Sequence, residues 1–113
     1  MYAHAVVNVP ELTPAQLRDE LAGEDPPKIL DIRETHELEI SNMAHDAHIP
    51  MQELSRRIYE LDPMEKWVVV CRSGSRSAHV TAYLLEKGFH HVRNLTGGIN
   101  RWVDEVDPTI RKY

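Results

Sequence analysis

The chain holds one cysteine, Cys71, at the head of the segment Cys71-Arg72-Ser73-Gly74-Ser75-Arg76-Ser77, between the apolar run Trp67 to Val70 and a stretch with helical spacing. One cysteine forms no internal disulfide and no thiolate-rich zinc site, so this thiol is either buried filler or a reagent. Its setting favours the reagent. A free thiol of pKa about 8.5 is only about 3% ionised at neutral pH, and two neighbouring arginines together with a helix N-terminus stabilise the thiolate. Backbone N–H groups in a loop that leads from a strand into a helix can curl into an anion-binding nest, and Gly74 supplies the freedom to take up positive φ there. The expected nucleophile is therefore Cys71. The expected substrate-binding residues are Arg72, Ser73, Gly74, Ser75, Arg76 and Ser77, with no metal and no cofactor.

Phosphoryl transfer and sulfur transfer both suit a thiolate in such a nest. Cysteine phosphatases space their nucleophile and arginine as Cys-x5-Arg, a ring sized for a phosphate, whereas this chain has Cys-x4-Arg from Cys71 to Arg76. A ring one residue shorter suits a sulfur atom attached to the thiolate and disfavours a phosphatase or arsenate reductase.

Such a loop needs a strand behind it and a helix in front. Apolar β-prone segments alternate with helical patterns along the whole chain, which predicts a single α/β domain over residues 1–113, an open, mostly parallel sheet with helices on both faces. The expected strands are Ala5 to Val9, Ile29 to Ile32, Ala47 to Ile49, Trp67 to Val70 and Val92 to Leu95. Thr13, with Pro14 at the first helical position and Gln16 three residues on, predicts a capped helix with Leu17 and Leu21 on one face. Further helices are expected at Glu34 to Glu39, over the Leu54, Ile58, Leu61 spacing, from Ser77 to Lys87 with Gly88 behind it, and after Gly97-Gly98. In open α/β sheets ligands bind beyond the carboxyl ends of strands, and Cys71 falls at such an end.

With these motifs in view the chain resembles the single-domain rhodanese-type sulfurtransferases. The resemblance is carried by Ile29-Leu30-Asp31-Ile32-Arg33 with Glu37, by Val69 to Ser77, and by Asn94-Leu95-Thr96-Gly97-Gly98-Ile99 with Trp102. It implies that Cys71 takes a sulfane sulfur from thiosulfate or a persulfide donor and passes it to a thiol or to cyanide through a Cys71 persulfide. It also implies that a basic loop of this kind suits thiosulfate. A sulfur-carrier or sensing module, holding the persulfide for a protein partner, needs the same loop and stands as the alternative. Two segments depart from the family pattern: Ser41 to Asp46 replaces a usual Gly-His-Ile-Pro-Gly-Ala, and Val80-Thr81 replaces an Ala-Ala pair on the active-site helix.

The remaining polar residues carry blander expectations. His45, His48, His90 and His91 lack third and fourth partners for a zinc site. His79 is expected at the surface, Asp31 and Arg33 as a structural pair, Met43, Met51 and Met64 as core or rim filler, and Trp102 as a core anchor near the site. A net charge of -5 argues against nucleic acid or an anionic membrane as partner. The absence of a long apolar run and of a charged-then-apolar leader gives the expectation of a soluble, cytoplasmic protein whose partners are a small sulfur donor and a thiol or protein acceptor.

Overall fold

The computed structural model describes residues 8–113. Five strands, β1 (Glu11–Leu12), β2 (Lys28–Asp31), β3 (Ala47–His48), β4 (Lys66–Val70) and β5 (His91–Leu95), form one sheet in the order β1-β5-β4-β2-β3. Every pairing is parallel. The helices are α1 (Pro14–Leu21), α2 (Thr35–Ile40), α3 (Leu54–Arg57), α4 (Ser75–Glu86) and α5 (Gly98–Glu105).

Both faces of the sheet are covered, which is why β4 is apolar at consecutive positions. Trp67, Val69 and Cys71 pack with Leu30, Ile32, Val80 and Leu84 in the layer on the α4 side. Val68 and Val70 pack with Leu17, Ile29, Ile99 and Trp102 in the layer of α1 and α5. The period-2 alternation of a strand thus assigns each residue of β4 to one of two cores. It sends the Cys71 side chain toward α4. β4 is the central strand, so the residue that follows it emerges at the middle of the sheet's carboxyl edge.

The predicted cap of α1 is present in both directions: Gln16 N donates to Thr13 Oγ1 (3.2 Å) and Thr13 N donates to Gln16 Oε1 (2.8 Å). The expected first strand differs. Residues 5–7 of that segment lie outside the described residues, Asn8 and Val9 are not in a strand, and the edge strand lies past Pro10. Pro10 lacks an N–H, yet its carbonyl accepts from Asn94 N (2.9 Å), which is how a proline serves at the start of an edge strand. The Leu54, Ile58, Leu61 spacing resolves into α3 flanked by two 3₁₀ turns, Met51–Glu53 and Ile58–Glu60. Apolar spacing requires only that Leu54 and Leu61 face inward, which both helix types satisfy. Met64 is 63% exposed, in the turn after Pro63, and so is not part of the core. Met43 is buried and Met51 packs at the margin of the α4-side core.

Candidate active site

The chain leaves β4 at Val70, makes a bend of four residues, and enters α4 two residues earlier than helical spacing predicts. Gly74 makes that early entry possible. Its φ of 97° is in the left-handed region, and a Cβ there would stand 3.1 Å from Gly97 N and 3.3 Å from Leu95 O. Side chains are excluded at this point because a second glycine turn, Gly97-Gly98, is stacked beneath it.

That second turn fixes which way the loop's peptides face. Ile99 N donates to Cys71 O (2.9 Å) and Asn100 N donates to Arg72 O (3.1 Å), so the first N–H groups of α5 hold the loop's carbonyls. Gly98, at φ 64°, permits the approach: a Cβ would lie 2.5 Å from both carbonyl oxygens. With its carbonyls turned toward α5, the loop presents N–H groups to the sulfur. Gly74 N donates to Cys71 Sγ at 3.2 Å and Ser77 N at 3.4 Å. The N–H groups of Ser75 and Arg76 belong to the first turn of a twelve-residue helix, where no intrahelical acceptor exists.

Ser77 Oγ lies 3.2 Å from Sγ and gives its proton to Asn94 Oδ1. The Asn94 amide is oriented by its Nδ2, which donates to Gly74 O (3.2 Å). Ser77 therefore turns lone pairs toward the sulfur and accepts from a Cys71 S–H, while the two backbone N–H groups are the donors that serve a thiolate. All three residues, Cys71, Ser77 and Asn94, are buried. Thr81, at one of the positions that depart from the family pattern, donates from Oγ1 to Ser77 O (2.8 Å) and ties the first turn of α4 to the second.

The arginines occupy a different setting from the backbone floor. Arg76 makes a bidentate pair with Glu37, Nη1 to Oε1 and Nη2 to Oε2, each 2.9 Å. Glu37 also accepts from Glu34 N (2.9 Å) and from the Tyr113 hydroxyl (2.6 Å). The Arg76 guanidinium, aided by these other donors, outweighs burial and holds the Glu37 carboxyl down at about 2. Burial and the adjacent Glu37 carboxylate raise the Tyr113 hydroxyl above its ordinary value. The same hydroxyl accepts from Arg33 Nη1 (2.9 Å), and Arg33 is paired through Nε and Nη2 with the equally buried Asp31. A single phenol thus bridges two ion pairs. Arg72 also meets Tyr113: its Nε donates to the main-chain oxygen of Tyr113 (2.6 Å), and its guanidinium carbon lies 4.6 Å from the ring centroid.

The expected site residues are thus together around the end of β4, with a division between them. Cys71, Gly74 and Ser77 are in direct contact; Ser73 and Ser75 are exposed; Arg72 and Arg76 turn their charged ends to Tyr113 and Glu37. Asp31 and Arg33 form the expected structural pair, and Trp102 packs in the core of α1 and α5. The Ser41 to Asp46 departure also has a structural use. Ser41 O accepts from Arg33 Nη2 (2.8 Å), and Asp46 Oδ2 accepts from Ile29 N (2.7 Å). Three contributors, Asn94, Glu37 and Tyr113, had no role assigned from sequence, Glu37 being named only among the residues that carry the family resemblance. Asn94 carried a signal, being polar on a strand whose alternate residues are buried. Tyr113 carried none, because a tyrosine after a polar stretch has no periodicity to place it.

Comparison with known proteins agrees with this geometry. The model of the rhodanese-like domain family matches residues 13–105. A Bacillus subtilis protein named "Putative sulfurtransferase YtwF" is 31% identical over 102 residues, covering 90% of this chain and 98% of that one. The Bacillus subtilis "Putative sulfur carrier protein YrkF" is 27% identical over 100 residues, 88% of this chain and 54% of its own. Among solved structures, a rhodanese-related protein from Thermoplasma volcanium superposes with a TM-score of 0.78 at 29% identity, covering 86% of this chain and 93% of that one. A rhodanese-like domain protein from Staphylococcus aureus gives a TM-score of 0.79 at 27% identity, covering 92% and 98%. With a matched sequence model, the same α/β fold and a sulfurtransferase relative spanning nearly its full length, this chain belongs to the rhodanese-like domain family.

Proposed function

We propose that this protein is a sulfurtransferase that carries sulfane sulfur on Cys71, taking it from thiosulfate or a persulfide and passing it to a thiol, with cyanide as an assay acceptor. The observation that carries the reading is the convergence of Gly74 N and Ser77 N on Cys71 Sγ at 3.2 and 3.4 Å, where the six-residue ring from Cys71 to Arg76 enters the N-terminus of α4. Such a ring stabilises a thiolate and, after transfer, the anionic outer sulfur of a persulfide.

In the first half-reaction the Cys71 thiolate attacks the outer sulfur of thiosulfate. A sulfur–sulfur bond forms to Cys71, the one within thiosulfate breaks, and its electron pair leaves with sulfite. Sulfite departs as an anion and requires no general acid. In the second half-reaction an acceptor thiolate attacks the outer sulfur, and the Cys71 thiolate is the leaving group.

Intact mass spectrometry after exposure to thiosulfate tests this. One added sulfur is expected on the wild type, removable by a thiol, and none on Cys71→Ser, whose hydroxyl stays protonated. Loading of the serine variant, or no loading of the wild type by thiosulfate or by an alkyl persulfide, would refute the proposal.

The second reading, a carrier that hands its sulfur to one protein partner, is favoured by the YrkF likeness. It predicts stoichiometric loading with slow discharge to free thiols, relieved only by that partner. Fast multiple turnover with small thiols would exclude it.

A further inference from the structure

The Ser77 hydroxyl has a single proton and two neighbours able to take it, Cys71 Sγ at 3.2 Å and Asn94 Oδ1. Which of them receives it is decided one residue further away. Gly74 O is a carbonyl and only accepts: Ala78 N donates to it along α4 (3.2 Å), and Asn94 Nδ2 donates to it from β5 (3.2 Å). The nitrogen of the Asn94 amide therefore faces Gly74, which leaves Oδ1, an acceptor only, facing Ser77. Turning the amide over would set Oδ1 against Gly74 O, two oxygens with no proton between them. The main chain on both sides is held as well. Asn94 N donates to Pro10 O (2.9 Å), and Ser77 O accepts from Thr81 Oγ1 (2.8 Å). Ser77 is fully buried and Asn94 is 5% exposed, so bulk water offers neither an alternative partner.

We propose that Asn94 is a positioning residue: by engaging the Ser77 hydroxyl proton it withholds that proton from Cys71, so that a bare thiolate rests on two backbone N–H groups and the sulfur, once loaded, is released slowly. The proposal rests on Cys71 being the nucleophile of the sulfur-transfer reading. In the thiol the lone pairs of Ser77 Oγ accept from S–H. In the thiolate the same lone pairs meet a negative charge, and turning the hydroxyl toward the sulfur would strand Asn94 Oδ1, buried, without a donor. In the persulfide the inner sulfur is bonded on both sides and uncharged, and the charge stands on the outer sulfur. The withheld proton thus costs the loaded state nothing, and it costs the bare thiolate one charge-assisted hydrogen bond. Discharge is the step that feels this. The acceptor sulfur bonds to the outer sulfur, the bond from the outer sulfur to Cys71 breaks, and its electron pair returns to a Cys71 thiolate that has two donors instead of three.

Alkylation by iodoacetamide, in which the thiolate sulfur bonds to carbon and iodide leaves, tests this without sulfur transfer. Its rate is followed against pH in wild type, Ser77→Ala, Asn94→Ala and the double variant, and the midpoints of the four profiles are compared. The charged and titratable groups of the surrounding elements are the same in all four: Arg72 of the loop, Arg76 and His79 of α4, Glu37 of α2, the pair Asp31 and Arg33 at the end of β2, and Tyr113 beyond α5. Asn94→Ala frees the Ser77 proton for the sulfur and is expected to lower the midpoint by about one pH unit, the scale of one hydrogen bond to a charged group. Ser77→Ala is expected at or below wild type, because the hydroxyl it removes gives the thiolate nothing. In the double variant the fall caused by Asn94→Ala should disappear relative to Ser77→Ala. The lost contact to Gly74 O is common to both backgrounds and cancels, so a merely structural role of Asn94 would not depend on Ser77 in this way. A midpoint raised in Ser77→Ala would show the hydroxyl donating to the wild-type thiolate and would overturn the proposal. So would an Asn94→Ala midpoint that does not fall, or that falls equally without the Ser77 hydroxyl. Should Asn94→Ala prove poorly folded by thermal melting, the sign of the change in Ser77→Ala decides. Persulfide-loaded Asn94→Ala should discharge to a small thiol about threefold faster than wild type, and an equal or slower discharge would overturn the withheld proton as its brake. If the midpoints move as stated while neither thiosulfate nor an alkyl persulfide loads any of the four proteins, the sulfur-transfer reading fails and the placement of the proton survives.

Discussion

The floor and the rim of the site are built from different materials. The floor beneath Cys71 is made of neutral dipoles, the backbone N–H groups of Gly74 and Ser77, aimed by the hydrogen bonds that Ile99 and Asn100 make to the loop's carbonyls. The rim is made of full charges, and the guanidinia of Arg33 and Arg76 are already matched to carboxylates. Dipoles held rigidly by a second helix cost no reorganisation when charge appears on the sulfur, whereas paired arginines must be shared or released before they can serve a substrate. On the proposed sulfur-transfer reading, sulfur activation belongs to the floor, and the rim governs what reaches it.

The largest expected effect breaks the floor. In Gly98→Ala the new Cβ would meet the carbonyls of Cys71 and Arg72 at 2.5 Å, at a φ of 64° that alanine rarely adopts. Neither atom can yield, because both belong to the backbone. A loss of about 2–4 kcal/mol in stability is expected, and loading of Cys71 by thiosulfate should fall more than about a hundredfold even where the variant remains folded. Urea denaturation and single-turnover mass spectrometry measure the two. A variant as stable and as active as wild type would show that α5 does not set the loop.

Sequence reading found the floor more completely than the rim, for a physical reason. The alternation of β4, the capping box of α1 and the glycines at 74, 97 and 98 are local requirements of backbone geometry, so short stretches of sequence betray them. Even the start of α4 was displaced by only two residues, because the N-cap is Gly74 and carries no capping side chain. The rim is assembled from positions 33, 37, 72, 76 and 113, which no local pattern connects. From sequence, Arg72 and Arg76 read as donor ligands. Their partners Tyr113 and Glu37 become visible only when α2, α4 and the segment after α5 are brought together.

The next effect in size separates rim from floor. Arg76→Met leaves Glu37, which is nearly buried, without its cationic partner, and removing one member of such a pair costs more than the pair contributes. Because Arg76 is itself about one-third exposed, a destabilisation of about 2 kcal/mol is expected rather than the larger value of a fully buried pair. Adding Glu37→Gln should recover at least half of it. If the floor alone activates the sulfur, Cys71 of the double variant is still alkylated by uncharged iodoacetamide, the thiolate sulfur bonding to carbon as iodide leaves, at a rate within about threefold of wild type. A hundredfold loss with this neutral reagent would return Arg76 to the activating machinery.

The smallest effect is a dependence of stability on pH. Glu37 is held at about 2 in the folded protein, against an ordinary value of 4.5, chiefly by the bidentate contact from Arg76. A carboxyl whose folded value is depressed contributes stability that is fully present above its unfolded value and is lost as pH falls through the folded value, so the window runs from about pH 4.5 down to about pH 2. The full shift would correspond to roughly 3 kcal/mol, and solvent screening at the Arg76 end, about one-third exposed, reduces this to about 1–2 kcal/mol. Urea midpoints of wild type should fall across that window by more than those of Glu37→Gln, and the two proteins should run parallel above about pH 5.5. Parallel curves throughout would mean that Glu37 keeps its charge in the unfolded chain as readily as in the folded one. The rim would then be no more than a surface salt bridge, and its distinction from the floor would rest on position alone.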